Sequence, residues 1–365
     1  MRESNIELMR IVSMMLIIMH YFSVHGTFAF TPELTFNKVF LQVFGLGGKA
    51  GVVAFVMITG YFMVSSSFKL QKFGKLVGQI WFYSIAMLVV AMGLGLDTVT
   101  SRNMMLALLP SGAMSWFAQN FLVLYLLTPL INRVLHWLQH KYYVMLLALA
   151  TLIWFVIPTA LNLWPNLPHT TFGFKHIFSF IVFYSMGAYI KLYGSSIKLF
   201  GSHITQKTGI ILSAVGILGA FGGDILVDVL AMTDPTYMKQ IFYFTQNDYG
   251  FFQLLLGIGL FIIFLKAKIT YHPWINTIAS TTFGIYLLHD NKLFLHHMWD
   301  NIFETYQYYD SSLLPLYAIC IVALIFIVGM VVDYMRLAFI EKPIMKRITL
   351  YIESSQSWME KKVPF

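Results

Sequence analysis

Residues 7–26, ELMRIVSMMLIIMHYFSVHG, decide the fold class and pose the functional question at once. As a helix, this apolar run is long enough to cross a bilayer core about 30 Å thick. Yet it holds Arg10 near its start, His20 well inside and His25 at its end. Ten residues of helix place His20 roughly 15 Å beyond Arg10. That is near the bilayer centre, where an ionisable side chain is costly and by default signals function. The bland alternatives are an Arg10 that snorkels to the head groups, a neutral His20 bonded to a neighbouring helix, and a solvated His25.

The rest of the chain has the same character. Of 365 residues, 58% are hydrophobic and only 11% charged, with mean hydropathy +0.72; soluble domains carry about 25% charged residues. Apolar runs recur at 7–25, 39–64, 75–96, 116–135, 142–162, 177–193, 208–230, 249–267, 277–298 and 313–336. They predict an all-α, polytopic integral membrane protein, a bundle of about ten transmembrane helices. Residues 1–340 read as one transmembrane domain and 341–365 as a cytoplasmic tail. The first run lacks a small-residue cleavage site, so it reads as a retained span. The single cysteine, Cys320, excludes an intrachain disulfide and a thiolate zinc site.

A formal charge of +8 invites a nucleic-acid reading, which the distribution of charge excludes. With the N-terminus inside, 18 of the 24 Lys and Arg residues fall on inner segments. Only Lys38, Lys49, Arg102, Lys175, Lys239 and Lys292 fall outside. This is the positive-inside pattern of a multi-pass cell-membrane protein with both termini cytoplasmic. The outer side is acidic, with Asp224, Asp228, Asp234, Asp248, Asp300, Glu304 and Asp310.

Three further stretches carry candidate chemistry. GGKAGVVAFVMITGYFMV, residues 47–64, offers Lys49 early in its span and Tyr61 late. Its glycines suit close helix contact, and Tyr61 has an ordinary role as an interfacial anchor. MSWFAQNFLVLYLLTPLIN, residues 114–132, offers Trp116, whose bland role is the membrane belt, with Gln119 and Asn120 at the outer edge facing a wet cavity. STTFGIYLLHDNKLFLHHMW, residues 280–299, is the most polar span, with His289 and Asp290 in its middle. A carboxylate can orient a histidine, although neighbours on a helix point about 100° apart. His289 and His296 are separated by roughly 10 Å of helical rise. One ion cannot bridge that, so no metal site is expected.

Together, NIELMRIVSMMLIIMHY (5–21), GGKAGVVAFVMITGYF (47–62), WFAQNFLVLYLLTPLIN (116–132), TFGIYLLHDN (282–291) and DYMRLAFIEKPIMKRI (333–348) resemble the membrane acyltransferase-3 family, in the branch found in polysaccharide-synthesis loci of Gram-positive bacteria. The resemblance implies a ten-helix enzyme, a transferase of acyl groups other than amino-acyl groups. Acetyl-CoA, or another acyl-CoA, would be a donor substrate rather than a permanently bound cofactor. The acceptor would be a hydroxyl of a surface polysaccharide or undecaprenyl-linked glycan. Partners would be the lipid bilayer and envelope-synthesis proteins, and no nucleic acid. His20, Arg10, His289 and Asp290 would be the catalytic set; Tyr21, Lys49, Tyr61, Trp116, Gln119 and Asn120 would bind substrate.

The chain departs from the family pattern at two positions. The family places a histidine eleven residues after the arginine, and this branch commonly has a His-His pair at ten and eleven; here the pair is His20 and Tyr21. Eleven residues is about 1,100°, so Tyr21 rather than His20 shares Arg10's face. Val53 stands where the family usually has Asp or Asn. Two alternatives therefore stay open: a family member without acyl transfer acting as a scaffold, and a lipid-linked glycan transporter.

Overall fold

The opening apolar run forms one unbroken helix, α1 (Ser4–His25), with most of its residues buried. This computed structural model describes residues 3–173, 176–194, 198–199, 202–248 and 250–344. Arg2, Lys175, Lys346, Arg347, Lys361 and Lys362, and the expected tail beyond Ile344, lie outside the described residues.

Among the described residues, secondary structure is helical apart from a two-residue pairing of Lys198–Leu199 with Ser202–His203. After α1 come α2 (Phe36–Gly45), α3 (Gly48–Met63), α4 (Leu70–Gly93), α5 (Ser101–Leu108), α6 (Trp116–Trp137), α7 (His140–Thr151) and α8 (Ile157–Leu161). Then follow α9 (His176–Tyr193), α10 (Gln206–Thr233), α11 (Tyr243–Gln246), α12 (Phe251–Lys266), α13 (Pro273–Ala279), α14 (Thr282–His289) and α15 (Leu314–Arg336).

Among the described residues, eight helical segments are long and apolar enough to cross a membrane: Ser4–His25, Phe36–Met63, Leu70–Gly93, Trp116–Trp137, His140–Leu161, Gln206–Thr233, Pro235–Lys266 and Leu314–Ile344. Two of the ten expected spans are absent from this set. Residues 177–193 form α9, an 18-residue helix sunk into the bundle. Residues 277–298 do not form one helix. Ser280 and Thr281 turn their hydroxyls back onto the carbonyls of Thr277 and Ile278, and the chain breaks between α13 and α14. Such back-bonding competes with the helix ladder. A second break follows at Asp290, which ends α14.

Local chemistry accounts for other irregularities. Pro129 inside α6 cannot donate to the Tyr125 carbonyl, and the Thr128 hydroxyl does so instead, at 2.7 Å. This satisfies a carbonyl that hydrocarbon could not. A reciprocal capping box between Thr205 and Thr208 starts α10.

The core lies where α1 meets α3 and α12, with α9 against α3, α10 along α12, and α14 on α15. The α3–α9 contact depends on two glycines. A Cβ on Gly60 would strike the Tyr184 backbone, and one on Gly187 would strike the Met57 backbone. Helix backbones approach this closely only through small residues. Gly60→Ala is expected to destabilise the protein by about 1–3 kcal/mol, the usual cost of overpacking. Thermal unfolding in detergent, followed by size-exclusion chromatography, measures it; an unshifted midpoint would refute the close packing.

The outer acids are not simply solvated, as their sequence positions imply. Asp224 and Asp228 on α10 are fully buried. Asp224 accepts from the Phe244 backbone at 2.9 Å and from the Thr245 hydroxyl, while Asp228 pairs with a fully buried Lys38 at 2.8 Å. These bonds hold α2 and α11 to α10.

Candidate functional site

At the His25 end of α1, the ends of several helices surround a polar cavity of about 410 Å³. His20 and Tyr21 from α1, Lys49 from the start of α3 and Trp116 from the start of α6 line its inner wall. Asp290 joins them from the end of α14. His176, Gln246, Asp248 and Lys292 complete the lining, and His176 and Lys292 are exposed at the rim.

His20 is buried, and its Nδ1 lies 2.9 Å from the Gly45 carbonyl. A carbonyl only accepts, so Nδ1 carries the proton; in the neutral ring Nε2 is a free lone pair. Gly48 lacks a side chain because the His20 ring and Cβ occupy that space. The imidazole is thus clamped between a carbonyl and a glycine surface. Lys49 sits one residue beyond that surface. Its ammonium is 2.5 Å from Asp248 Oδ1 and 5.2 Å from the centre of the Trp116 ring. His176 Nδ1 lies 3.7 Å from the other Asp248 oxygen, and its ring lies 5.1 Å from that of Trp116.

Asp290 forms a second cluster at the same wall. It accepts from the Tyr21 hydroxyl at 2.5 Å, from the Ser115 hydroxyl at 2.7 Å and from the Tyr286 hydroxyl. Trp116 Nε1 donates to the Tyr21 oxygen at 3.1 Å. Ser115 is also the N-cap of α6, so the carboxyl group lies at a helix N-terminus, where backbone dipoles favour negative charge. The expected pairing of Asp290 with His289 does not form. α14 ends at His289, and Asp290 turns to the three hydroxyls. His289 Nδ1 donates to the Ile285 carbonyl at 2.9 Å, and the ring lines a separate apolar crevice of about 420 Å³. Its ring meets the lining of the polar cavity at the Tyr21 ring, 5.0 Å away.

The structure thus brings together five residues expected from sequence: His20, Tyr21, Lys49, Trp116 and Asp290. Trp116 is a cavity wall with a bonded indole rather than a membrane-belt anchor. His25, expected to be merely solvated, is partly buried at the cavity with its ring 4.9 Å from that of Tyr21. The remaining expected residues lie elsewhere. Arg10 is beside Glu7, at 3.3 Å, toward the opposite end of α1. The cavity at His20 opens at the other end, by His25. Tyr61 stacks under Lys191 at the far end of α3, at 4.7 Å. Gln119 is exposed, and Asn120 donates to the Trp116 carbonyl of its own helix. Val53, at the expected polar position, is buried and fills the space a Cβ on Gly257 would need.

Sequence reasoning missed Asp248, His176, Gln246 and Lys292, which come from loops and helix ends. It also missed Ser115 and Tyr286. Tyr286 was within reach, because it precedes Asp290 by four residues and so shares its helix face.

A family model described as an acyltransferase domain matches residues 3–334. No curated protein and no solved structure shows a significant match to the chain.

Proposed function

This chain belongs to the membrane acyltransferase-3 family, and on that premise we propose that it is an O-acetyltransferase of the cell envelope. It moves an acetyl group from cytoplasmic acetyl-CoA to a hydroxyl of a surface or lipid-linked polysaccharide. With both termini cytoplasmic, the cavity opens toward the outer face, where such an acceptor lies, and this reading requires the thioester of the cytoplasmic donor to reach His20 from the inner side.

The observation that carries this reading is the clamped imidazole of His20 on a polar cavity, with Nδ1 held by Gly45. The acceptor hydroxyl gives its proton to Nε2 as its oxygen attacks the thioester carbonyl. The tetrahedral oxyanion then collapses, and the thiolate leaves with the proton from the imidazolium. Lys49 stands on the same wall; Asp248 holds one of its three donors, and the other two serve the oxyanion. Tyr21 is a poor candidate for the base because its hydroxyl proton is already donated to Asp290. Tyr21, Ser115 and Tyr286 instead hold Asp290, and through it the junction of α1, α6 and α14.

The test is transfer by the purified protein in liposomes, with labelled acetyl-CoA and the host's surface glycan. Label is expected on glycan oxygen, with matching loss of O-acetyl groups from the glycan of a deletion strain. Absence of transfer from any acyl-CoA, together with unchanged glycan acetylation in that strain, would overturn the reading.

A further inference from the structure

Far from His20, an open groove of about 310 Å³ runs between α4 and the helical segment that continues α15 to Ile344. α4 contributes Gln71, Gly74, Lys75, Gly78, Gln79 and Phe82, spaced to share one helix face. The opposing wall is Arg336, Ile340, Glu341 and Ile344. A Cβ on Gly74 or Gly78 would meet nothing within 4 Å, so the groove passes over bare helix backbone.

Arg336 is only 5% exposed. Its Nε donates to Asp333 at 2.6 Å and its Nη1 to Glu341 at 2.7 Å. The third nitrogen, Nη2, is buried with no hydrogen-bond partner among the described residues. A guanidinium has five donors, and a buried one left unpaired is costly. Lys75 stands at the rim, and Lys69 and Lys72 are exposed at the same end of α4. Lys75 also lies 3.8 Å from Glu341, so Arg336 and Lys75 share the Asp333 and Glu341 carboxylates, and Lys69 and Lys72 add positive charge beside the groove without lining it. Beyond Gln79, which bonds Asp333, Phe82 carries the groove on as an apolar surface, while Ile340 and Ile344 wall it beside the lysines; both segments are long enough to cross a membrane.

The missing partner needs an anionic oxygen at one end and hydrocarbon at the other. We propose that this groove binds an anionic glycerophospholipid. Its phosphate accepts from Arg336 Nη2 and Lys75, and one acyl chain lies over Gly78 toward Phe82. A free phosphate would use the same nitrogens but leave the apolar length empty. The site is independent of the acyl-transfer reading.

Native mass spectrometry of the full-length protein in detergent tests the assignment, with phosphatidylglycerol, diacylglycerol and inorganic phosphate as probes. Phosphatidylglycerol is expected to bind at least about tenfold more tightly than diacylglycerol, which lacks the charge-assisted bonds. Gly78→Leu projects a side chain into the open groove, where an added Cβ meets nothing within 4 Å, and favours the helix. It is expected to weaken phosphatidylglycerol about tenfold, roughly the worth of two displaced methylenes. Lys75→Gln is expected to weaken it about fivefold, the worth of one basic residue near an anionic lipid. Equal binding of the two lipids, unchanged binding by Gly78→Leu, or displacement of the lipid by millimolar inorganic phosphate would each overturn the proposal.

Discussion

Replacing His20 by alanine is expected to lower acyl transfer about 10²–10⁴-fold, the usual contribution of a positioned general base, while the protein stays folded. The effect should fall on the rate at saturating substrate, because the imidazole acts on the reacting hydroxyl. Gly48→Ala gives a more pointed result. It leaves the imidazole in the chain but puts a methyl group where His20 now sits, so the rate should fall without loss of the ring. Tyr21→Phe separates the base from its surroundings. It removes the hydroxyl between Trp116 and Asp290, while Ser115 and Tyr286 still donate to the carboxyl group. The expected cost is about 1–3 kcal/mol of stability, as for a buried polar group losing its partner, with a loss of rate much smaller than that of His20→Ala. Initial rates in proteoliposomes, read beside thermal midpoints, distinguish these outcomes. If Tyr21→Phe abolished transfer in a stable protein while His20→Ala remained active, the chemistry would run through Tyr21 and the assignment of the base would be wrong.

The difference between His20 and Tyr21 also shows what could be read from the sequence. Helical repeat places Tyr21 on Arg10's side of α1, and the inference that the two share a site follows only if they are also close along the axis. Eleven residues of rise is roughly 16 Å, and the structure puts Arg10 with Glu7 and Tyr21 with Asp290. Hydropathy gave the long helices well, because bilayer thickness sets their length. It ran straight through residues 277–298, since apolar content does not register Ser280 and Thr281 bonding back to their own helix. His20, Lys49, Trp116 and Asp290 were legible as polar groups set in apolar runs. Asp248 and His176 were not, because each sits at the edge of a run, where a polar residue needs no explanation. Only tertiary packing reveals that Asp248 meets Lys49 across 199 positions of sequence. Lys38 was misread for a related reason. It counts among six cations on the outer side, and nothing local shows that α10 covers it completely.

That covered lysine carries the largest expected effect on stability. Lys38 and Asp228 have fully buried side chains with their charges 2.8 Å apart. The ammonium also donates to the carbonyls of Thr31, at 2.9 Å, and Pro32, at 3.4 Å. Asp228 accepts from Gln42 at 2.8 Å. Lys38→Met removes one charge and leaves the Asp228 carboxylate buried without a cation, for an expected cost of about 3–5 kcal/mol. The double variant Lys38→Met with Asp228→Leu removes both charges and their desolvation together, and should recover most of that loss. Thermal or denaturant unfolding of the two single variants and the double in one detergent closes the cycle. A loss below about 1 kcal/mol for Lys38→Met, the range of exposed pairs, would mean that water reaches the pair. The consequence extends to the cavity. Lys38 lies in the first turn of α2, and the last residue of α2 is Gly45, whose carbonyl holds the His20 ring. Loosening the ion pair therefore loosens the clamp on the base. Lys38→Met should lower the rate per folded molecule as well as the amount folded, and the double variant should restore both.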